Sequence, residues 1–148
     1  MKYFKTLIIF IILFILSCDV SSPEETGKVK IRTILEDIEL AFNLHHIEEI
    51  MEYYNSSYLH NGEDIDDVRL DWEIRLNDYE EMELSEINIE LDGDRATVTL
   101  KRSFYINQEL VLQETEPDDN GDLSYWQLEM NEWKIIGNRN SRSHRFIP

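Results

Sequence analysis

The sequence predicts an α+β domain in which three N-terminal helices pack on a curved antiparallel sheet of four to six strands. Apolar residues recur with a helical period from Lys28 to about Asp78, and they alternate with polar residues from Ile87 onwards. These two periods distinguish amphipathic helices from half-buried strands. Helices that precede antiparallel strands, rather than alternating with parallel ones, indicate the α+β class.

Residues 1–17 predict a signal peptide. Lys2 and Lys5 precede an apolar run from Leu7 to Leu16, and Ser17 then offers a small residue at a cleavage point. A basic start, a short apolar segment and a small residue are the signature of a secretory signal. The run is too short for a permanent span, which needs roughly 20 residues.

The residues Ile15-Leu16-Ser17-Cys18 resemble the lipobox of bacterial lipoproteins. The resemblance implies that cleavage follows Ser17 and that Cys18 carries diacylglycerol, with a further acyl chain such as palmitate giving stable anchoring. We therefore expect a protein anchored to a membrane of the bacterial cell envelope, inner or outer, on its extracytoplasmic side. The alternatives are an ordinary secretory signal and an uncleaved anchor.

Composition limits the possible partners. Without the signal peptide the chain keeps 12 basic and 31 acidic residues, so its net charge is 12 − 31 = −19. Such acidity argues against a nucleic-acid partner, because phosphate contacts need Lys and Arg. It also repels anionic lipids, so membrane association should rest on the lipid anchor. Cys18 is the only cysteine, so no disulfide is expected.

The remaining chain predicts a short tether followed by one domain. Residues 18–27 combine the lipidated Cys18 with Ser, Pro and Gly, which is typical of a flexible tether. Residues 28–148 then predict a single domain, since a chain of this length suits one core.

Three helices are predicted from the apolar spacing. The first presents one face formed by Ile31, Ile34, Leu35, Ile38 and Phe42. The second presents Ile47, Ile50, Met51 and Tyr54. The third is predicted from Asp64 to Asp78, with a buried face of Ile65, Val68, Trp72, Leu76 and Tyr79.

The strands follow in pairs. Ile87, Ile89 and Leu91 lead into a predicted hairpin turn at Asp92-Gly93-Asp94. The returning strand has one buried face, formed by Ala96, Val98, Leu100, Arg102, Phe104 and Ile106. The apolar patch 110–112 is expected to prolong this strand or pair with it. Residues 123–130 and 133–137 predict a second hairpin, and the tail from Asn138 is polar and basic.

From Ile31 to Gly137 the chain resembles the nuclear transport factor 2-like superfamily, which includes SnoaL-like and ketosteroid-isomerase-like proteins. The stretch Ile47-Glu-Glu-Ile-Met-Glu-Tyr-Tyr-Asn-Ser-Ser-Tyr-Leu-His-Asn-Gly62 is similar to the family's short helix, aromatic pair and turn. Tyr125-Trp-Gln-Leu-Glu-Met-Asn-Glu-Trp-Lys-Ile-Ile136 resembles its last hairpin. The resemblance implies a cystatin-like cone with a pocket at its wide end, and a possible homodimer through the sheet. It does not settle function, because the superfamily includes isomerases, dehydratases and pure binders.

Aromatic residues are the candidate pocket lining. Tyr and Trp combine an apolar body with a polar group, which suits a half-wet pocket. We predict that the ligand pocket is lined by Tyr54, Tyr58, Trp72 and Trp126. The alternative is that these side chains only pack the core.

Three other groups of residues are candidate sites. Asp71, with Tyr54 and Tyr58, could serve an isomerase-like enzyme, but its spacing does not match the family's catalytic pattern. His45, His46 and His60 flank the second helix, although adjacent His45 and His46 point apart. Calcium ligands at positions 1, 3, 5 and 12 of a loop could come from Asp118, Asn120, Asp122 and Glu129. Each pattern also has a structural explanation. Asp71 could lie on a solvated helix face, the histidines could lie in a connection between helices, and the acidic loop could be a turn between strands.

The preferred hypothesis is a non-enzymatic binding module for a small apolar ligand or a protein partner, with no cofactor or metal. The alternative is a pocket enzyme of the SnoaL or ketosteroid-isomerase type.

Overall fold

A computed structural model describes residues 22–139 of the chain. The predicted signal peptide, Cys18 and residues 140–148 of the basic tail lie outside the described residues. Within the described part, no helix has the length and apolar character needed to cross a membrane.

Three helices are present between residues 22 and 139: α1 (Pro23–Asn43), α2 (Ile47–Met51) and α3 (Ile65–Asp78). Helix α1 begins at Pro23 because the Ser22 side chain accepts a hydrogen bond from the Glu25 N–H at 3.1 Å, and proline favours the first helical turn. Residues 23–27 are therefore helical rather than part of a flexible tether.

The main sheet has five antiparallel strands: β3 (Glu81–Asp92), β4 (Arg95–Ile106), β5 (Glu109–Glu116), β6 (Tyr125–Glu129) and β7 (Glu132–Ile135). Strand β4 lies in the middle. It pairs with β3 along one side, while β5 and β6 share its other side and β7 pairs with β6. This confirms the predicted antiparallel sheet, with the patch 110–112 paired to β4.

A separate hairpin joins β1 (Leu59–His60) to β2 (Glu63–Asp64) around the Asn61-Gly62 turn. The turn was predicted, but its two short strands were not. Two residues per strand carry too little periodicity to be recognised from sequence.

Strand β3 begins six residues before the predicted Ile87. Met82 and Leu84 face the core before Glu86, and Ile89 faces it afterwards. Glu86 has φ 51°, and the pairing with β4 shifts between Ser85 and Asn88. An extra residue in such a bulge reverses the alternation, so the whole strand does not show one period.

The core lies between the helices and the inner face of the sheet. Helix α1 contributes four buried side chains of its predicted face, namely Ile31, Leu35, Ile38 and Phe42. Burial of such a side chain is worth about 1.5–3 kcal/mol. Strand β4 buries the predicted Ala96, Val98, Leu100, Arg102 and Phe104. The α+β class is confirmed.

Candidate functional site

The four predicted pocket residues all lie in the interior, and each exposes less than one-tenth of its surface. Tyr54 and Tyr58 pack edge to face, with ring centroids 5.3 Å apart. The Trp72 indole N–H donates to the Tyr54 hydroxyl at 2.8 Å. Trp126 instead donates to the Leu123 carbonyl at 2.7 Å. Three of the four are thus directly connected, and their role in ligand binding stays a prediction.

A buried ion network lies beside these aromatic residues. Arg102, which is fully buried, donates through Nε and Nη2 to Glu114 Oε2 at 3.0 and 2.7 Å. Its Nη2 atom also lies 3.2 Å from Glu116 Oε1 and 3.4 Å from Asp122 Oδ2. The guanidinium lies 5.4 Å from the Trp72 ring centroid. We call Arg102, Glu114, Glu116 and Asp122 the Arg102 network.

Burial and charge set the protonation of this network. Burial alone would lower the pKa of Arg102, but the charges of Glu116, Asp122 and Glu114 outweigh it and raise that pKa. Burial raises the pKa of Glu116, although the Arg102 charge opposes the rise. Burial also raises the pKa of Tyr54 and Tyr58, so both hydroxyls stay protonated. The network therefore holds a permanent cation among carboxylates in a low-dielectric interior.

Three polar atoms of this interior have no hydrogen-bond partner among residues 22–139, namely Tyr58 Oη, Arg102 Nη1 and Glu116 Oε1, although Glu116 Oε1 lies 3.2 Å from Arg102 Nη2. Buried polar groups are usually paired, and an unpaired one costs about 1–3 kcal/mol.

The alternation along β4 predicted Arg102 on the buried face of its strand, but its carboxylate partners were not predicted. Asp122 was predicted as a ligand of a possible calcium loop instead. The structure directs Asp122 to Arg102, whereas Glu129 accepts a hydrogen bond from Asn55 at 2.6 Å. Asp122 and Glu129 therefore contact different partners in this structure.

The other candidate residues are separated as well. Asp71 lies near the surface and pairs with Arg75 at 3.7 Å. His46 contacts Glu49 at 2.8 Å on the surface. His60 is buried, stacks on Tyr125 and accepts the Asn138 N–H at Nδ1. No group of three His, Cys, Asp or Glu side chains in residues 22–139 is arranged to hold a metal ion.

A groove runs between α1 and the β6–β7 hairpin. It consists of two adjoining cavities, about 490 and 380 Å³, that share Lys30, Asn131 and Trp133. Apolar and aromatic side chains form much of its wall, including Val29, Ile34, Tyr53, Leu91, Leu128 and Trp133. Volumes of about 300–1,000 Å³ are typical of small-molecule sites. We call this feature the α1 groove.

Gly27 lets α1 lie close to the sheet at this groove. A Cβ atom at Gly27 would stand 2.8 Å from Leu91 Cδ1 and 3.5 Å from the Trp133 ring. That is closer than side-chain packing allows, so only glycine permits this approach without a shift. The sequence analysis assigned Gly27 to the tether and so missed this packing role.

Charged side chains of both signs line the α1 groove, namely Glu24, Lys30, Glu52, Glu132 and Lys134. Lys134 lies 3.2 Å from Glu132 and donates to the Glu52 carbonyl. Lys30 forms no ion pair within the described part of the chain. Tyr53 donates to Asp37 at 3.1 Å, and burial together with this bond raises its pKa to about 12. The groove thus combines apolar walls with carboxylates and with the ammonium group of Lys30, which has no ion pair among residues 22–139.

No protein-family model and no curated protein matches the sequence. Solved structures do share its fold. A nuclear transport factor 2-like protein of unknown function from Pseudomonas putida matches with a TM-score of 0.60 and 14% identity, covering 76% of this chain and 83% of that one. A protein from Streptomyces avermitilis, suggested to be a dehydratase of the same family, has a TM-score of 0.56 and 14% identity, covering 76% and 93%.

The Bdellovibrio bacteriovorus protein Bd1075 has a TM-score of 0.60 and 16% identity over 80% of this chain. The chain spans 42% of the length of that structure. A protein of unknown function from Nostoc punctiforme with a cystatin-like fold also matches, with a TM-score of 0.57. The domain therefore has the nuclear transport factor 2-like, cystatin-like fold. Identities this low show the fold and leave function to the site.

Proposed function

We propose that the protein is a lipid-anchored, extracytoplasmic binding module of the bacterial envelope, and that its α1 groove binds a small apolar molecule carrying an acidic group. The observation that carries this proposal is a largely apolar groove that contains Lys30, which forms no ion pair with residues 22–139, in a chain whose net charge without the predicted signal peptide is −19. Apolar walls supply affinity, and one charged group supplies orientation.

The position of the groove fits an anchor at Cys18. Three residues, 19–21, separate Cys18 from Ser22, the first described residue. They can span about 3.5 Å each at most. Pro23 and Glu24, which follow at once, line one end of the groove. An anchor at Cys18 would therefore hold the groove close to the membrane, where amphipathic molecules are concentrated.

The anchor is tested separately from the groove. Cys18→Ala should abolish incorporation of a palmitate analogue into the full-length protein expressed in bacteria. The control is an equal amount of protein in wild-type and variant cells. Labelling that persists in the variant would refute the anchor and would leave the groove proposal standing.

Ligand binding is tested with oleate and with oleyl alcohol, its uncharged counterpart. Both should change the fluorescence of the full-length protein, and Trp133→Phe should remove most of the change. Lys30→Gln should weaken oleate binding about two- to fivefold, the value of an exposed ion pair, and leave the alcohol unaffected. Lys101→Gln is the control, because Lys101 lies on β4 outside the groove and pairs with Glu86 at 2.6 Å. Equal effects of the two substitutions would contradict a role for Lys30.

A pocket enzyme is the alternative function, with the ligand in the interior lined by Tyr54, Tyr58 and Trp72. The unpaired atoms Tyr58 Oη and Arg102 Nη1, together with the suggested dehydratase of the same fold, favour testing it. Turnover of a panel of apolar carbonyl compounds that Tyr58→Phe abolishes would support the enzyme. Oleate binding that depends on Trp133 and not on Tyr58 supports the binding module.

A further inference from the structure

A third cavity, of about 310 Å³, lies between the first residues of β4 and the chain that follows β7, and it shares no residue with the α1 groove. Its polar side chains come from Arg95, Thr97, Tyr125, Asn138 and Arg139. We call it the Arg95 cavity. None of its lining residues is acidic, although residues 22–139 contain 30 acidic and ten basic residues. Two arginines at a cavity without carboxylates create a positive potential that suits an anion.

Arg95 and Arg139 also differ from most other basic residues in having no ionic partner. Six of the ten basic side chains in residues 22–139 form ion pairs, namely Lys28, Arg69, Arg75, Lys101, Arg102 and Lys134. Arg95 and Arg139 form none with this part of the chain. Glu90 and Asp92 line a smaller adjoining cavity with Arg95 but do not pair with it. Since guanidinium groups stay charged, the Arg95 cavity keeps two positive charges.

The β1–β2 hairpin fixes the position of Arg139. The Arg139 N–H donates to the Leu59 carbonyl at 2.8 Å, and the Leu59 N–H donates to the Ile136 carbonyl at 3.2 Å. The Asn138 N–H donates to His60 Nδ1 at 3.3 Å. These bonds hold Arg139 at φ 56°, which is uncommon for a residue other than glycine. The backbone that carries Arg139 is therefore in place before a ligand arrives, which lowers the cost of binding.

Strands β4 and β6 form the other wall of the cavity. Arg95 pairs with Gln127, and Thr97 pairs with Tyr125. Because side chains two residues apart in a strand point to the same face, Arg95 and Thr97 lie on the same face of the sheet. The Tyr125 ring stacks on His60, with ring centroids 5.6 Å apart. This wall therefore offers two hydroxyl groups beside the Arg95 guanidinium.

We infer that the Arg95 cavity binds the phosphate monoester group of a small soluble molecule, with Arg95 and Arg139 as its two cations. Such a group carries a charge of about −1.5 to −2 at pH 7, which two guanidinium groups balance. Guanidinium groups also form paired hydrogen bonds with phosphate oxygens. A soluble molecule fits better than a lipid headgroup, because a chain of net charge −19 without its predicted signal peptide is repelled by anionic membranes.

The test is phosphorus NMR of glycerophosphate with the full-length protein in detergent micelles. Binding should broaden the phosphorus resonance. Arg95→Gln and Arg139→Gln should each weaken binding at least fivefold, and circular dichroism checks that both exposed substitutions leave the fold intact. Lys101→Gln is the matched control, because Lys101 lies on the same face of β4, pairs with Glu86 at 2.6 Å and is outside the cavity. It should leave binding unchanged.

The inference is overturned if glycerophosphate does not bind, if neither arginine substitution weakens binding, or if Lys101→Gln weakens it equally. Salt should weaken binding because it screens the two guanidinium charges. Glycerate, which carries one negative charge, should bind at least fivefold more weakly, and equal affinity would contradict a phosphate site. Phosphatidic acid added to the micelles should not displace glycerophosphate. Displacement would assign the cavity to a lipid headgroup and overturn the soluble ligand.

Discussion

Tyr53 and Tyr54 are consecutive residues that lie in two different regions of the molecule. Tyr54 lies in the interior, where its hydroxyl accepts the Trp72 indole N–H and its pKa is raised by burial. Tyr53 lines the α1 groove and donates to Asp37 at the surface. In the interior, buried polar groups form hydrogen bonds and ion pairs with one another. In the groove, side chains lie at the surface and do not depend on one another in this way.

This difference predicts that stability and ligand binding can be changed separately. Inside the protein, a polar group that loses its partner has no water to replace it, so each loss is costly. At the groove, water replaces what a substitution removes. Interior substitutions should therefore change the free energy of unfolding, and groove substitutions should change affinity.

The largest expected effect follows Arg102→Met. It leaves Glu114, Glu116 and Asp122 without their central cation, and breaking a buried ion pair on one side costs about 3–5 kcal/mol. Urea denaturation measures the loss. Lys101→Met on the same strand is the control, because the exposed Lys101–Glu86 pair should contribute no more than about 1 kcal/mol. Similar losses for the two variants would show that the Arg102 network does not stabilise the fold.

A smaller effect is expected for Tyr54→Phe. It removes the acceptor of the buried Trp72 N–H, which should cost about 1–3 kcal/mol. Tyr53→Phe removes an exposed hydrogen bond and should change the free energy of unfolding by about 0.5 kcal/mol or less. The pair of variants compares the two regions at adjacent positions. If Tyr53→Phe proved the more destabilising, the division between interior and groove would be wrong.

The contribution of the buried Glu116 to stability should depend on pH. Its pKa is raised in the folded protein, so its charge opposes folding once the pH exceeds the unfolded value, near 4.5. The stability of the wild type relative to Glu116→Gln should therefore fall as pH rises from 4 to 7. Chemical denaturation across this range measures the trend.

Glu48 provides the control of opposite sign. Its hydrogen bond to Arg69 lowers its pKa, so its contribution is present above the unfolded value and is lost as pH falls. The stability of the wild type relative to Glu48→Gln should rise with pH. If the difference in unfolding free energy between wild type and variant changed with pH in the same direction for Glu116→Gln and Glu48→Gln, the opposite pKa shifts of the two residues would be contradicted.

The smallest effect on stability is expected for Val29→Ser in the groove. Val29 is 56% exposed, and such a surface change should stay within about 0.5 kcal/mol. Oleate binding should nevertheless weaken, because Val29 lines the larger cavity. Leu40→Ser, on the same helix and equally exposed but outside the groove, should leave binding unchanged. A loss of affinity with Leu40→Ser would place the site elsewhere.

Much of the fold could be predicted because the spacing of apolar residues follows the period of most helices and strands. The alternation in β4 placed Arg102 on the buried face, and the 3.6-residue spacing identified the buried faces of α1 and α3. The start of β3 escaped prediction because the bulge at Glu86 reverses the alternation. The start of α1 escaped because Pro23 and Gly27 were interpreted as tether residues, although proline is favoured in a first turn.

The sequence by itself determined the α+β class, the antiparallel pairing of β3 with β4 and the strong acidity of the chain. These follow from the order and spacing of residues close together in the chain. Only the tertiary structure decided that Glu114, Glu116 and Asp122 surround Arg102, because such contacts depend on how β5 and its following loop fold back. It also decided that Lys30 and Trp133 share one groove, since their side chains meet only after α1 packs against the last hairpin.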